Sequence, residues 1–478
     1  MKIGELLQNI EYKSFNGNSD AEFTGLCTDS QKVRRGDIFF CYEGYEFDSH
    51  KFADEAVKRG AVALVCERKL NLDIEQIIVE NGRKAIAPAA RAFFGFADKK
   101  LKLIGVTGTN GKTTTTYMLN SIFECAGKKC GIIGTLGISY GDKFISPELT
   151  TPDPIYLHSV FADMVKCGVE YVFMEVSAHA IYFNKIEGLT FEVGIFTNCT
   201  QDHLDFFGNM QDYADCKKSF FTDKICKCAV INSDDNVGIQ IINNFTGAVS
   251  FGLKNPADVF AVDIEESIKG SSFVINLFDE LYEIKLKITA LHNVYNAMGA
   301  AACAKILGID TANIAKGLAN LKSVAGRLEL VAKFNGADIF VDFAHTPDGL
   351  EKSLQALKKL CKGKLYCLFG CGGNRDRTKR PIMGKVAAEN SDFCIITSDN
   401  PRYEDPYEII SEIEGGIKQL NKKYVTVTDR ETATEYAINL LENGDILLVA
   451  GKGGEYYQEI MGIKHSYNDT LVIKRIIG

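Results

Sequence analysis

The chain has 478 residues, 46% of them apolar and 24% charged; that composition excludes a fibrous or disordered protein, and roughly 150 residues per domain gives about three domains. The 15 cysteines are odd in number and include no CxxC pair, which excludes a zinc knuckle and a disulfide framework and makes them small buried apolar residues of a reducing compartment. A formal charge of -8 argues against a nucleic-acid partner, no apolar run approaches membrane-spanning length, and the N-terminus lacks a signal-peptide pattern, so a cytoplasmic enzyme is expected.

Residues 1–98 read as a small α/β domain. IGELLQNIE suggests a helix, GDIFFCY a strand, KFADEAVKRGA a helix and AVALVCE a strand, followed by the helical stretch RKAIAPAARAFFGFAD. A second domain, 99–323, opens with the apolar strand LKLIGVT, a Gly-rich turn and the helical TTTTYMLNSIFECAG. Further strands end in polar residues: KKCGIIGT, VEYVFMEVSAH, FEVGIFTN and CAVINSDD. Strands alternating with helices indicate a parallel, doubly wound sheet. The third domain, 324–478, repeats the rhythm with ADIFVDFAHTPD, KLYCLFGCGGNRD, SDFCIITSDNP and GDILLVAGKGGE. Leu350, Leu354, Leu357 and Leu360 recur at the spacing of a sheet-covering helix. The fold class is therefore α/β in three domains: a small N-terminal one, a central P-loop ATPase-like parallel sheet and a C-terminal Rossmann-like one. Ligands of such sheets sit beyond the carboxyl ends of the strands, where this chain concentrates its unusual polar residues.

Gly108-Thr109-Asn110-Gly111-Lys112-Thr113-Thr114 lies between an apolar strand and a helix. Backbone N–H groups of such a turn, with the helix N-terminus behind them, cradle phosphate oxygens. Lys112 would pair with the β/γ-phosphates and the Thr113 hydroxyl would approach Mg2+. Val106 occupies the first glycine position of the strict GxxxxGK[ST] pattern, and the strand–loop–helix context compensates. Glu175 closes one strand and His203 follows the next, so both could join Thr113 around a common Mg2+; the plainer reading makes them structural caps. Lys217, in YADCKKSFF, reads locally as a solvated helix lysine.

The order of these motifs resembles the Mur ligase family, from Thr28 to about Asp469, and within it the members that add the third stem-peptide residue, especially the diaminopimelate type. The resemblance implies an ATP- and Mg2+-dependent amide ligase of peptidoglycan precursor synthesis. It would join meso-diaminopimelate to UDP-MurNAc-L-Ala-D-Glu through an acyl phosphate. TDSQKVRRGDIFF resembles the uridine-binding segment, which makes Thr28, Ser30 and the nearby Tyr45 substrate contacts; LTTPDP resembles the segment contacting the muramoyl-peptide, and the resemblance implies Thr150, Thr151, Ser177 and Lys185 as further substrate contacts. GTNGKTT is the ATP loop, and ALHNVYN gives Asn293 and Asn296 on the adenine side. GRLE supplies Arg327, and VDFAHTPD supplies Asp342 and His345, as nucleotide contacts. Lys217 stands where the family has a carbamylated, metal-binding lysine, so Thr113, Glu175, His203 and Lys217 are the expected metal ligands and Lys112, Lys217, His203 and Glu175 the expected catalytic set.

The acceptor residues implied are Arg375, the motif Asp399-Asn400-Pro401-Arg402, Gly451 and Glu455. An arginine fork at Arg402 suits the second carboxylate of diaminopimelate. The chain also departs from the family: Gly454 replaces a usual histidine, Phe183 and Lys185 replace glutamine and arginine, and Ala290 replaces a glycine. Competing readings are a related ligase with lysine or glutamate as acceptor, a nucleotide-dependent switch ATPase and an inactive binding paralogue. A monomer is expected, with His203, His345 or substrate phosphate as candidate bases.

Overall fold

Short apolar runs become strands buried along their whole length, as Asp37–Phe40, Ala63–Cys66, Leu365–Phe369 and Ile446–Ala450 all are, which is what parallel sheets covered on both faces require. The computed structural model describes residues 1–44, 47–146, 148–420 and 422–478. These fall into two compact units. One collects Met1–Gly105, Lys129–Gly194 and Ser219–Lys227, the other Val106–Lys128, Ile195–Lys218 and Cys228–Gly478.

In the first unit a five-stranded sheet runs in the order Ser14–Asn16, Glu75–Ile78, Ala63–Cys66, Asp37–Phe40, Gly25–Cys27. All its pairs are parallel except the first. The two-residue period splits it cleanly: Ile38, Phe40, Ala63, Val65 and Ile77 face one core, while Phe39, Cys41, Leu64 and Cys66 face the other. The helix Gly82–Phe93, capped by Asn81, sets Ala85, Ile86, Ala89 and Ala90 on the first face. It stops short of the predicted 98, because Gly95 and Phe96 take left-handed φ of 69° and 52°. Elsewhere in this unit Cys130–Gly134 pairs in parallel with Tyr171–Glu175 and is extended by two antiparallel strands, Gly137–Tyr140 and Lys143–Ile145.

The second unit pairs Ala229–Asn232, Val249–Phe251 and Val259–Ser267 in parallel. It then adds the antiparallel strands Gly270–Leu277 and Glu280–Leu286, which the sequence reading did not include. The helices Leu291–Ile306 and Thr311–Asn320 pack on Lys112–Cys125. The approach is so close that a Cβ on Gly317 would lie 2.4 Å from Ile122 Cα. A six-stranded sheet follows in the order Glu329–Phe334, Ala337–Asp342, Ile446–Ala450, Leu365–Phe369, Phe393–Ile396, Tyr424–Thr426, parallel except for its first pair. The helix Pro347–Leu360 covers it with Leu350, Leu354 and Leu357 buried. The strand of this sheet latest in sequence, Ile446–Ala450, sits between the earlier Ala337–Asp342 and Leu365–Phe369, so strand order reverses there, the kind of switch point beyond whose carboxyl ends such sheets bind ligands. Among the described residues no helix is long and apolar enough to cross a membrane.

Candidate active site

The candidate phosphate loop lies in the strand–turn–helix its sequence demands, between the strand Lys102–Thr107 and the helix Lys112–Cys125. Gly108 and Gly111 adopt φ of 147° and 88°. A Cβ on Gly108 would fall 1.9 Å from Thr197 Oγ1, and one on Gly111 2.4 Å from Asn296 Oδ1, so only glycine fits. Neighbouring segments hold the loop. Thr109 N–H donates to Asn198 O (2.9 Å), Asn110 N–H to Asn198 Oδ1 (2.9 Å) and Thr197 Oγ1 to Asn110 O (2.6 Å). Asn110 Nδ2 donates to Asp348 Oδ2 at 3.0 Å. Lys112 Nζ donates to Gly108 O (2.8 Å) and Thr109 O (2.9 Å), so the ammonium already lies over the loop. Behind it stands the N-terminus of the helix Lys112–Cys125, a ready anion site. Asn198, Thr200 and Asp348 escaped the sequence reading. Their role comes from contacts 88 to 238 residues away in the chain, which no local pattern records.

A cavity of about 410 Å³ opens beside the loop, lined among others by Asn110, Gly111, Asn293, Asn296, Arg327 and Asp342. Asn293 Nδ2 donates to Thr289 O (2.7 Å) while its Oδ1 accepts from Asn296 (3.1 Å), an orientation that keeps both amides at the cavity wall. Arg327 Nη2 donates to Thr113 Oγ1 at 2.9 Å, and its guanidinium lies 4.3 Å from the centre of the Phe343 ring. Burial pushes the Asp342 carboxyl up to about 6, although Arg327 and the N–H groups of Ala344 and Leu328 pull the other way. His345 donates from Nδ1 to Phe343 O (2.8 Å), leaving Nε2 as the nitrogen that can take a proton, 3.7 Å from Asp202 Oδ2. Ala290, just before the helix Leu291–Ile306, holds φ at 84°, the region that favours the glycine it replaces.

Lys217 is not the solvated lysine of the local reading. The helix Met210–Lys218 buries it to 1% exposure, with Nζ 4.4 Å from the centre of the Tyr213 ring. Burial brings its ammonium down to about 8, against the opposing pull of Cys199, Asp202, Cys216 and Asp235. His203, at a left-handed φ of 55°, places Nε2 3.3 Å from Asp202 Oδ2. Burial works to raise the Asp202 carboxyl, yet His345, His203 and Lys379 hold it well below the usual carboxylate range.

The remaining metal and peptide-side candidates belong to the first unit. Glu175 accepts from Thr135 N–H at Oε1 (2.9 Å) and from Thr135 Oγ1 at Oε2 (3.1 Å). Thr135 Oγ1 lies 3.0 Å from Thr150 Oγ1, and Thr151 Oγ1 donates to Glu175 O at 2.8 Å. Ser177 N–H donates to Thr151 Oγ1 (3.1 Å), and Lys185 Nζ pairs with Asp153 at 2.8 Å. Glu175, Thr150, Thr151, Ser177 and Lys185 are thus neighbours in one polar network. Ser30 donates to Glu55 Oε2 at 3.0 Å and Thr28 is half-buried close by in sequence; Tyr45 lies outside the described residues. The Phe183 substitution has a structural use, for Arg83 lies 4.6 Å from the ring centres of both Tyr42 and Phe183.

At the carboxyl ends of the six-stranded sheet the acceptor candidates converge. Asn400 Nδ2 donates to Glu455 Oε2 (3.0 Å), and a Cβ on Gly451 would meet Asp399 Oδ2 at 2.5 Å. Fully buried Lys452 ties the group together, donating to Asn400 Oδ1 and Glu455 Oε2 at 2.9 Å each, with Asp399 Oδ1 4.0 Å away. Pro401 O packs so tightly on Gly373 that a Cβ there would sit 1.9 Å from it. A Cβ on Gly372 would lie 3.0 Å from Arg402 Nη1 and 3.8 Å from Arg375 Cγ, which places both arginines around that glycine. Beneath them the buried Arg380 binds Glu404, Glu412 and Gly372 O, joining the two arginine-bearing loops. Lys452 and Arg380 were missed, the first inside a motif already quoted, the second in a stretch of four basic residues where nothing marks Lys379 and Arg380 as the buried ones.

Comparison with known proteins fits this geometry. Three family models match: the Mur ligase family catalytic domain over residues 22–113, the Mur ligase middle domain over 106–304 and the Mur ligase glutamate ligase domain over 326–453. The UDP-N-acetylmuramoyl-L-alanyl-D-glutamate--2,6-diaminopimelate ligase of Geobacillus thermodenitrificans is 40% identical, over all of this chain and 99% of that protein. Ligase 1 of the same name from Clostridium acetobutylicum is 42% identical over 98% of this chain and 97% of its own. A solved structure of a ligase of that name superposes with a TM-score of 0.71 at 30% identity, covering 100% of this chain and 98% of the other.

Proposed function

The chain belongs to the Mur ligase family, and we propose from that premise that it is an ATP-dependent ligase joining meso-diaminopimelate to UDP-MurNAc-L-Ala-D-Glu in peptidoglycan precursor synthesis. The observation that carries the acceptor is the Asp399–Arg402 loop. Glu455 and Asn400 there present carboxylate and amide groups to a zwitterion, and Arg402 offers a guanidinium to a second carboxylate.

In this reading residues 1–98 bind the nucleotide sugar, 99–323 load ATP and 324–478 bind the acceptor. The D-Glu γ-carboxylate attacks the γ-phosphorus of ATP, ADP leaves, and an acyl phosphate results. The diaminopimelate amine then attacks the acyl carbon, loses a proton and expels phosphate, leaving an amide. Loop N–H groups and Lys112 hold the phosphates, where negative charge accumulates as two anions are brought together. His345 Nε2, His203 and substrate phosphate are the candidate proton acceptors. Among the described residues no three His, Cys, Asp or Glu side chains converge as a metal cage. Mg2+ is ordinarily held by phosphates, waters and one or two protein oxygens. Thr113, Glu175, His203 and a carbamylated Lys217 are the residues proposed to hold it, and the bound ion would supply charge to the transferring phosphoryl group. The enzyme is proposed to act as a cytoplasmic monomer.

The deciding experiment measures ADP release by the purified protein with ATP, Mg2+ and UDP-MurNAc-L-Ala-D-Glu, adding one amino acid at a time. Release that requires diaminopimelate is expected. Equal release with lysine or glutamate overturns the acceptor, substrate-independent hydrolysis indicates a switch ATPase, and silence indicates a binding protein.

Lys217 makes a separate prediction. A carbamate forms when a neutral amine attacks CO2 and sheds a proton, so a lysine titrating near 8 reacts where an ordinary one, near 10.4, stays protonated. The neutral fraction grows as pH rises through about 8, so uptake is expected to increase from pH 7 to pH 9. With 13C-bicarbonate, carbon NMR should show a carbamate signal that Lys217→Ala lacks. Equal signals in the two proteins would refute the assignment.

A further inference from the structure

The hairpin Tyr457–Ile460/Ile463–Ser466 carries no residue with an assigned role, yet it is laced to the acceptor loop. Gln458 Nε2 donates to Asp399 O (2.7 Å) and Glu459 N–H to Asn400 Oδ1 (2.9 Å). Arg402 N–H donates to Glu459 O (3.1 Å), and Met461 N–H donates to Arg402 O (2.7 Å). The side chains repeat the contact: Arg402 Nε donates to Glu459 Oε2 at 3.2 Å, with both side chains about one-fifth exposed, at 19% and 22%. On the other side Arg402 Nη1 donates to Gly373 O at 2.7 Å.

A guanidinium has five N–H donors in one plane. With Nε committed to Glu459 and one Nη1 hydrogen to Gly373, the plane is pinned by two separate segments. The donors not used in these two bonds lie on Nη1 and Nη2, and that edge matches a carboxylate bidentately. The left-handed backbone at Arg402, φ 51°, fits the same picture, since the loop bends there onto the hairpin. An acceptor bringing only an ammonium to this end leaves the donors of that edge with no carboxylate to pair with.

We propose that Glu459 is a positioning residue that orients the Arg402 guanidinium and so sets the preference for an acceptor with a distal carboxylate. The inference rests on the reading that Arg402 binds that carboxylate. The test compares Glu459→Ala, Glu459→Gln and Arg402→Ala by steady-state kinetics with diaminopimelate and with lysine. Glu459→Ala should raise KM for diaminopimelate about tenfold with kcat within about threefold, and lower the diaminopimelate-to-lysine ratio of kcat/KM about tenfold. KM for ATP and for the UDP-sugar should not move. Glu459→Gln, whose amide oxygen can accept the same N–H, should restore KM to within about threefold of the parent. A KM for Glu459→Ala within about twofold of the parent, while Arg402→Ala raises it about tenfold or more, overturns the role of Glu459 and leaves the acceptor reading standing. Equal losses in the Ala and Gln variants also overturn it, since orientation would not be the cause. An unchanged KM in Arg402→Ala overturns the acceptor reading itself.

Discussion

Lys112→Ala is expected to lower turnover about 1,000-fold, because a unit charge about 4 Å from a phosphate oxygen is worth roughly 4 kcal/mol at an effective dielectric near 20 and each 1.4 kcal/mol is about tenfold in rate. The full loss appears in kcat if the contact strengthens as the phosphoryl group transfers. Folding should survive, since Thr197, Asn198 and Asp348 hold the loop independently of the lysine. Diaminopimelate-dependent ADP release and a thermal scan measure the two effects. Near-normal turnover, or a collapse in melting temperature with it, would remove Lys112 from the phosphate site.

The second large effect concerns stability. Arg430 and Asp469 are both buried and paired, Nε to Oδ1 and Nη2 to Oδ2 at 2.8 Å each, with Nη2 also donating to Ala450 O at 2.9 Å. Burial alone would weaken the Arg430 charge, and Asp469 more than offsets it. Removing one partner strands the other as an unpaired buried charge, which costs about 3–5 kcal/mol. Arg430→Met is therefore expected to lower the melting temperature of this unit by on the order of 10 °C. The double variant Arg430→Met/Asp469→Leu should recover much of that loss, because two apolar groups leave no orphan charge. A single variant within about 2 °C of the parent contradicts the account.

What the sequence disclosed follows from how local each signal is. The phosphate loop is legible because strand, glycines, lysine and helix lie within a dozen consecutive residues. The leucine stripe of Pro347–Leu360 is legible because one helix face repeats every three or four positions. Lys217 is not, because its burial depends on tertiary packing, and the charged and polar groups that act on it, Cys199, Asp202 and Asp235, come from other segments. Asn400, Glu455 and Glu459 likewise meet across 55 to 59 residues of chain. The strand Gly270–Leu277 alternates buried and half-buried positions, and Val259–Ser267 alternates buried and exposed ones over its first four residues, but serines and charges dilute the apolar signal that would announce them. The helix stops at Phe93 because Gly95 and Phe96 are both left-handed; the glycine is a visible stop signal, whereas the conformation of a bulky Phe96 is not advertised.

Gly326, at φ 61°, lies against the loop that carries Glu455: a Cβ on it would stand 2.0 Å from Gly454 N and 2.2 Å from Gly453 C. Bare backbone on both sides is what lets the Gly326–Arg327 turn and the Gly451–Glu455 loop share this space. The two segments therefore form one cassette for protein engineering. A graft meant to exchange the acceptor must carry both, for a foreign loop with a side chain at this crossing would displace Arg327 from Thr113 while altering the amino-acid pocket.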